Sequence, residues 1–243
     1  VHRLLARGVG LVLAVPFFVL LMRRRIRPRL RLRLANLPLL AAMQGGMGWY
    51  MVRSGLSERT SVSPYRLVAH LGIALVILAV AVWTAAELSG AANSTSTHRW
   101  RSRSSPLAPA VTATLAALAF VTILSGGFVA GLDAGRIFNT FPLMEGRLIP
   151  EGYWAMDGWR NALENPVAVQ LHHRILAVCT VVLVWAGWMA ASVRGWSPGV
   201  RRWLTIAAAA GMLQVVLGIA TPLLAVPLAI AVAHQLGAVA LFA

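Results

Sequence analysis

The chain has 243 residues, 58% of them hydrophobic and only 12% charged, with a mean hydropathy of +0.73. Soluble domains are about half apolar and about a quarter charged, so these proportions exclude a water-soluble enzyme and a disordered tail. They leave a polytopic membrane protein. The 22 basic residues, all arginine, face 7 acidic ones, but they lie between apolar runs, so the net charge of +15 does not mark a nucleic-acid binder. Cys179 is the single cysteine, which excludes an internal disulfide and a cysteine-based zinc site.

A membrane-crossing helix needs roughly 20 mostly apolar residues. Seven segments qualify in chain order, near 4–22, 35–52, 66–87, 108–131, 167–193, 203–225 and 227–243. The loops between them alternate in charge. Arg23, Arg24, Arg25, Arg27, Arg29, Arg31 and Arg33 crowd the first loop, Arg99, Arg101 and Arg103 the third, and Arg194, Arg201 and Arg202 the fifth. Six of the seven acids lie in the other loops, and Glu87 is the exception. The positive-inside rule places the arginine-rich loops in the cytoplasm or its equivalent. Asn93-Ser94-Thr95 matches a glycosylation sequon but falls on that inner side.

The spans repeat. His2-Arg3-Leu4-Leu5-Ala6 opens the first, and His173-Arg174-Ile175-Leu176-Ala177 recurs in the fifth. Ala69-His70-Leu71-Gly72 in the third answers Ala233-His234-Gln235-Leu236-Gly237 in the seventh, and Gln44-Gly45-Gly46-Met47-Gly48 answers Gln214-Val215-Val216-Leu217-Gly218. The order is the same in both copies, so this is a parallel duplication rather than an inverted one. The expected fold is all-α, two tandem four-helix bundles related by duplication, with seven helices present. Residues 1–107 form an N-terminal half with three of its four helices, and residues 108–243 a complete C-terminal bundle. Val1 already lies in a hydrophobic segment, and the halves match if one more helix precedes it.

Polar side chains inside a membrane are costly and mark candidate functional sites. His2, His70, His173 and His234 all sit toward the outer ends of their spans, two in each half. Facing imidazoles in a four-helix bundle suit the axial positions of a haem iron. Arg3 and Arg174 follow two of them, where a guanidinium can pair with a propionate. A lone intramembrane histidine can instead be a helix–helix hydrogen-bonding residue, but four in repeat-matched positions argue for ligation. His172 and His173 lie about 100° apart on a helix, so only one faces the bundle axis, and the repeat selects His173. His98 is read as solvated, Cys179 as an apolar packing residue, and the tryptophans near span ends as an interfacial belt.

The longest outer loop, 132–166, is not a linker. Its Asp133/Arg136 pair, aromatic residues and glycines lie at the leaflet where the histidines converge, which suits a lid over a prosthetic group as well as it suits an ordinary interfacial loop. Here the chain resembles a known family. The run Ala130-Gly131-Leu132-Asp133-Ala134-Gly135-Arg136-Ile137-Phe138-Asn139-Thr140-Phe141-Pro142-Leu143-Met144, then Gly146-Arg147-Leu148-Ile149-Pro150, is similar to the signature loop of the haem A synthase family. The segment from Gln44 to Leu56, His173-Arg174 and His234-Gln235 resemble its other marks, and the likeness spans essentially the whole chain.

The resemblance implies an eight-helix enzyme with two related halves, an oxidoreductase of bacterial cell membranes or the mitochondrial inner membrane. It implies a resident haem b (iron) between His173 and His234, with Arg174 at the cofactor. His2 and His70 then serve as the catalytic pair where haem O is bound and its C8 methyl group oxidised, through an alcohol, to the formyl group of haem A for cytochrome oxidase assembly. Haem O synthase, an electron donor and the lipid bilayer follow as partners, a homo-oligomer is compatible with it, and nucleic acid is not expected. The family's acidic residue one turn before its first histidine would precede Val1. Loop 132–166 holds no cysteine, so the chain resembles the group that lacks outer-loop cysteine pairs. The rival readings are a bis-histidine cytochrome b-type electron-transfer subunit and a transporter. The second needs polar groups at the midplane, where this chain has none of its histidines.

Overall fold

The computed structural model describes residues 2–55, 62–92 and 105–243. Within them lie α1 (His2–Met22), α2 (Pro28–Gly55), α3 (Pro64–Ala92), α4 (Ala108–Gly131), the short α5 (Gly158–Glu164), α6 (Pro166–Val193), α7 (Pro198–Leu223) and α8 (Leu228–Phe242). No strand occurs among the described residues, where a Met144–Arg147 bridge is the isolated β-type pairing. Five helices (α1, α3, α4, α6 and α7) are long and apolar enough to cross a membrane. The protein is an all-α, multi-pass integral membrane protein.

Each of the seven expected spans falls on a helix, with shifted ends, and five of those helices qualify by length and apolarity. Helix α2 begins at Pro28, not near 35, and runs 28 residues because Arg29, Arg31 and Arg33 extend it past its apolar part. Helix α7 likewise begins at Pro198, and α8 is a shorter apolar helix of 15 residues. Proline at the first turn explains several of these starts, since its missing N–H is unsatisfied there in any case. The inner-loop arginines Arg99, Arg101 and Arg103, together with His98 and the Asn93 sequon, lie outside the described residues.

The chain divides into two compact units, Val1–Ser94 and Thr95–Ala243. In the first, α1 packs on α2 and α2 on α3. Arg33 of α2 forms an ion pair with Glu87 of α3 and stacks 5.8 Å over Trp83. The one acid found near the arginine-rich loops thus neutralises a guanidinium between two helices. Toward the other end of the same helix pair, Arg66 lies 4.6 Å over Tyr50 and Arg53 5.2 Å over Trp49. Such aromatic–guanidinium pairs suit a membrane interface, where one face is apolar and the other wet.

In the second unit α4 packs on α6, α6 on α7, α7 on α8 and α8 back on α4, which closes a four-helix ring. Lipid gives helices no hydrophobic reason to associate, so close approach through small residues must do so. A Cβ on Gly187 of α6 would stand only 3.3 Å from Leu115 and 3.4 Å from Val111 of α4, so its absence lets the two helices approach. Ala108, Ala191, Trp196 and Leu204 bury one another beside it. Farther along, the hydroxyls of Thr122 and Thr180 join α4 to α6 at 2.7 Å. Cys179 is exposed, not packed inside the ring: it precedes Thr180, which takes the inward position.

Candidate functional site

Three histidines share one local arrangement. Cε1 of His173 lies 3.1 Å from where a Cβ would stand on Gly126 of α4. His234 makes the same 3.1 Å approach to Gly218 of α7, and His70 comes within 3.3 Å at Gly48 of α2. In each case a glycine on the neighbouring helix opens the space into which the ring is laid. These glycines sit in helix interiors, where glycine costs roughly 1 kcal/mol relative to alanine. Close approach of a ring is what they provide in return.

Each glycine has a polar residue one turn earlier on its own helix: Gln44 before Gly48, Thr122 before Gly126 and Gln214 before Gly218. Residues four apart share a helix face, so these side chains are directed at the same neighbour as the glycine. Gln44 Nε2 stands 3.3 Å from His70 Nε2. Gln214 is buried and crowds Gly237 of α8, where a Cβ would collide with its amide. The polar–x–x–x–Gly pattern therefore occurs three times, although only the two glutamine versions stand out in the sequence.

His173 of α6 and His234 of α8 belong to one closed bundle. Nδ1 of His173 is 2.8 Å from Ser125 Oγ, and that hydroxyl in turn lies 2.7 Å from the Thr122 carbonyl. His234 Nδ1 is buried without a hydrogen-bond partner among the described residues. His70 belongs to the other unit and meets Gln44 and Gly48 of α2. His2 opens α1, and its side chain lies outside the described residues. Arg3 is exposed on the same helix.

The 132–166 loop is a built structure pinned to α6 and α7. Arg174 donates from two guanidinium nitrogens to the carbonyls of Thr140 (2.9 Å) and Phe138 (3.0 Å). Gln170, one turn earlier, donates to the same Phe138 carbonyl at 3.0 Å. Asn139 donates to the Pro222 carbonyl near the end of α7 at 2.7 Å. Phe138 and Met144 are buried, and Met144 opens a tight turn through Glu145 and Gly146, both at positive φ. A turn with two positive φ values is the kind that closes a hairpin. Asp133 and Arg136 are linked through their backbones in a 3-10 turn, and no ion pair joins their side chains among the described residues.

Beyond the turn the loop carries its own small polar core. Asn165 caps α6 by accepting from Val167 N–H at 3.0 Å, while its amide donates to Gly152, Tyr153 and Asn161. The short helix α5 packs on α6. His172, directed away from its neighbour as the helical spacing requires, accepts or donates at 2.9 Å with the Tyr153 hydroxyl and so ties the loop to α6. Ser125, Gln170, Asn165 and Tyr153 carry this architecture, yet sequence reasoning did not single them out. Three of the four serve the 132–166 loop, and no repeat marks them.

The donor set fits a haem. A porphyrin supplies four nitrogen donors itself, so two histidines complete the iron. A bare ion would need a cluster of ligands, and no such group of His, Cys, Asp or Glu occurs among the described residues. The comparisons with known proteins point the same way. The family model described as cytochrome oxidase assembly protein, COX15-CtaA, matches residues 1–243. A protein named Heme A synthase from Nitrosospira multiformis is 43% identical, over 99% of this chain and 67% of its own length. Proteins of the same name from Maricaulis maris (44% identical, 99% of this chain, 68% of their own) and Nitrosomonas eutropha (43%, 99%, 67%) are similarly alike. The chain thus spans about two thirds of these relatives, and it belongs to the COX15-CtaA family of cytochrome oxidase assembly proteins.

Proposed function

We propose that the protein is a haem A synthase of a bacterial cell membrane, an oxidoreductase that converts the C8 methyl group of haem O to a formyl group. The observation that carries this reading is the pair His173 and His234, each laid against a helix glycine inside one closed bundle on which the 132–166 loop is anchored. The relatives' shared name supplies the substrate class.

In this reading His173 and His234 would hold haem b through their imidazoles, and that group would supply electron relay when bound. His70 and His2 would serve the substrate haem in the N-terminal half. Gln44 orients His70 from α2, restricting its ring to one plane. Arg174 and Gln170 fix the loop on the C-terminal bundle and limit water entry, and the Arg174 guanidinium would offer a positive charge to an acidic group of the haem. A dry surrounding strengthens every dipole aimed at the site.

Expression in a host that makes haem O but no haem A tests the reading. Extracted haem should gain one oxygen and lose two hydrogens, as mass spectrometry of the product reads directly. A purified protein that carries haem b yet leaves haem O unchanged would instead identify a bis-histidine electron-transfer subunit.

A further inference from the structure

Ser125 stands between the ligand histidine and its own helix. Its Oγ lies 2.7 Å from the Thr122 carbonyl oxygen and 2.8 Å from His173 Nδ1. Two oxygens settle at 2.7 Å only with a proton between them, and a carbonyl has none to give. The serine proton therefore goes to Thr122. Ser125 Oγ then meets His173 as an acceptor, so Nδ1 must carry the ring's N–H. A neutral imidazole has one N–H and one lone pair, which leaves the lone pair on Nε2.

We propose that Ser125 is a positioning residue that holds His173 in the Nδ1–H tautomer, presenting Nε2 as the iron-binding nitrogen. The proposal rests on the assignment of His173 as a haem ligand. It also makes the two axial histidines unequal. His173 donates to a hydroxyl whose own proton is committed, whereas Nδ1 of His234 has no hydrogen-bond partner among the described residues. Such partners of a metal-bound histidine orient the ring and raise its basicity. Neither related glycine has a hydroxyl before it: Met47 precedes Gly48 and Leu217 precedes Gly218, where Ser125 precedes Gly126. The device belongs to α4 alone among these three helices. Space around Ser125 permits a clean test, because it also lines an apolar groove with Val121, Leu124, Phe128 and Leu163, into which an added methyl can point.

The test uses the purified full chain, Ser125→Ala and Ser125→Thr. In the haem-free protein, nitrogen-15 NMR of labelled histidine, with His173 assigned by its loss in His173→Gln, should show Nδ1–H alone in the parent. Ser125→Ala should show both tautomers, and Ser125→Thr should restore the single form. In the haem-loaded protein, transfer of haem to apomyoglobin should be about 10–100-fold faster in Ser125→Ala. Its midpoint potential should rise, because a less basic ligand stabilises ferric iron less, and Ser125→Thr should return both values toward the parent. A parent already mixed in tautomer, or an alanine variant unchanged in all three measurements, overturns the proposal. If haem retention proves independent of His173, the ligand assignment falls and takes the proposal's functional meaning with it. Haem that depends on His173 but not on Ser125 sinks the tautomer argument alone.

Discussion

Gly218 of α7 and His234 of α8 meet so closely that a Cβ on the glycine would stand 3.1 Å from the imidazole Cε1. That is tighter than ordinary van der Waals contact, so the ring must retreat by a few tenths of an ångström if a methyl is added. Gly218→Ala should remove the glycine's helix penalty of roughly 1 kcal/mol and leave thermal stability near the parent value. The displaced ring should nonetheless bind iron in a tilted orientation. The expected result is a small change in melting temperature with a clear loss of haem per protein, read by pyridine haemochrome. Gly218→Val, which adds two further carbons, should lose nearly all of it. Full haem content in both variants would show that the ring does not need that space.

Arg174 spans two carbonyls, those of Phe138 and Thr140, with separate nitrogens of one planar fork. Lysine keeps the charge but presents a single point donor. A hydrogen bond from a charged group contributes about 1.5–3 kcal/mol, less where solvent reaches it, as it does at the Thr140 contact. Arg174→Lys should therefore loosen the 137–141 segment without unfolding the bundle. Limited proteolysis should cut the exposed turn near Leu148 several-fold faster, and haem should leak more quickly. Unchanged cleavage and retention would mean that Gln170 and Asn139 suffice to hold the loop.

The helices and the histidines were legible in the sequence because both follow simple rules. Apolar length reports a span, and a duplication prints its histidines twice. What escaped was the second layer of the site. Ser125 and Thr122 lie in a run, Thr122-Ile123-Leu124-Ser125-Gly126-Gly127, that reads as an unremarkable membrane helix. Their meaning depends on α6 lying alongside, and no local pattern encodes that neighbour. Asp133 and Arg136 show the opposite error, since opposite charges three residues apart suggested an ion pair where the chain instead turns through its backbone. Arg174 in sequence suggests a partner for a propionate, while its two terminal nitrogens also have loop carbonyls to serve, and a carbonyl leaves no signature in the sequence.

Asn165 offers a test of the loop itself. It is buried, caps α6 through Val167 N–H and donates to carbonyl oxygens of Gly152 and Tyr153. Replacing a helix-capping asparagine by alanine costs about 0.5–2 kcal/mol, and the carbonyls left behind add to the loss. Asn165→Asp keeps the capping acceptor but removes the amide donors. Thermal unfolding in detergent should rank the parent above Asn165→Asp and Asn165→Ala. If the aspartate variant matches the parent, the cap matters and the amide contacts to the loop do not.

The two units should respond differently to loss of their histidines. His173 and His234 sit in the closed ring of α4, α6, α7 and α8, each with its glycine seat, whereas His70 belongs to the other unit and meets Gln44 and Gly48 of α2. His173→Ala or His234→Ala removes one of two axial ligands from the proposed haem b site. A bis-histidine haem is low-spin, so the surviving signal should be both weaker and high-spin in character. His70→Ala should leave the low-spin spectrum intact, because its ring belongs to the other unit, and should abolish conversion of haem O. Gln44→Ala should mimic it partially, lowering turnover about 10-fold through a misoriented His70 while the haem b spectrum stays the same. Absorption and electron paramagnetic resonance spectra of these four variants, each paired with product extraction, separate cofactor loss from substrate loss. A His70→Ala protein that loses its low-spin haem, or a His173→Ala protein that keeps it, would reverse the assignment of the halves.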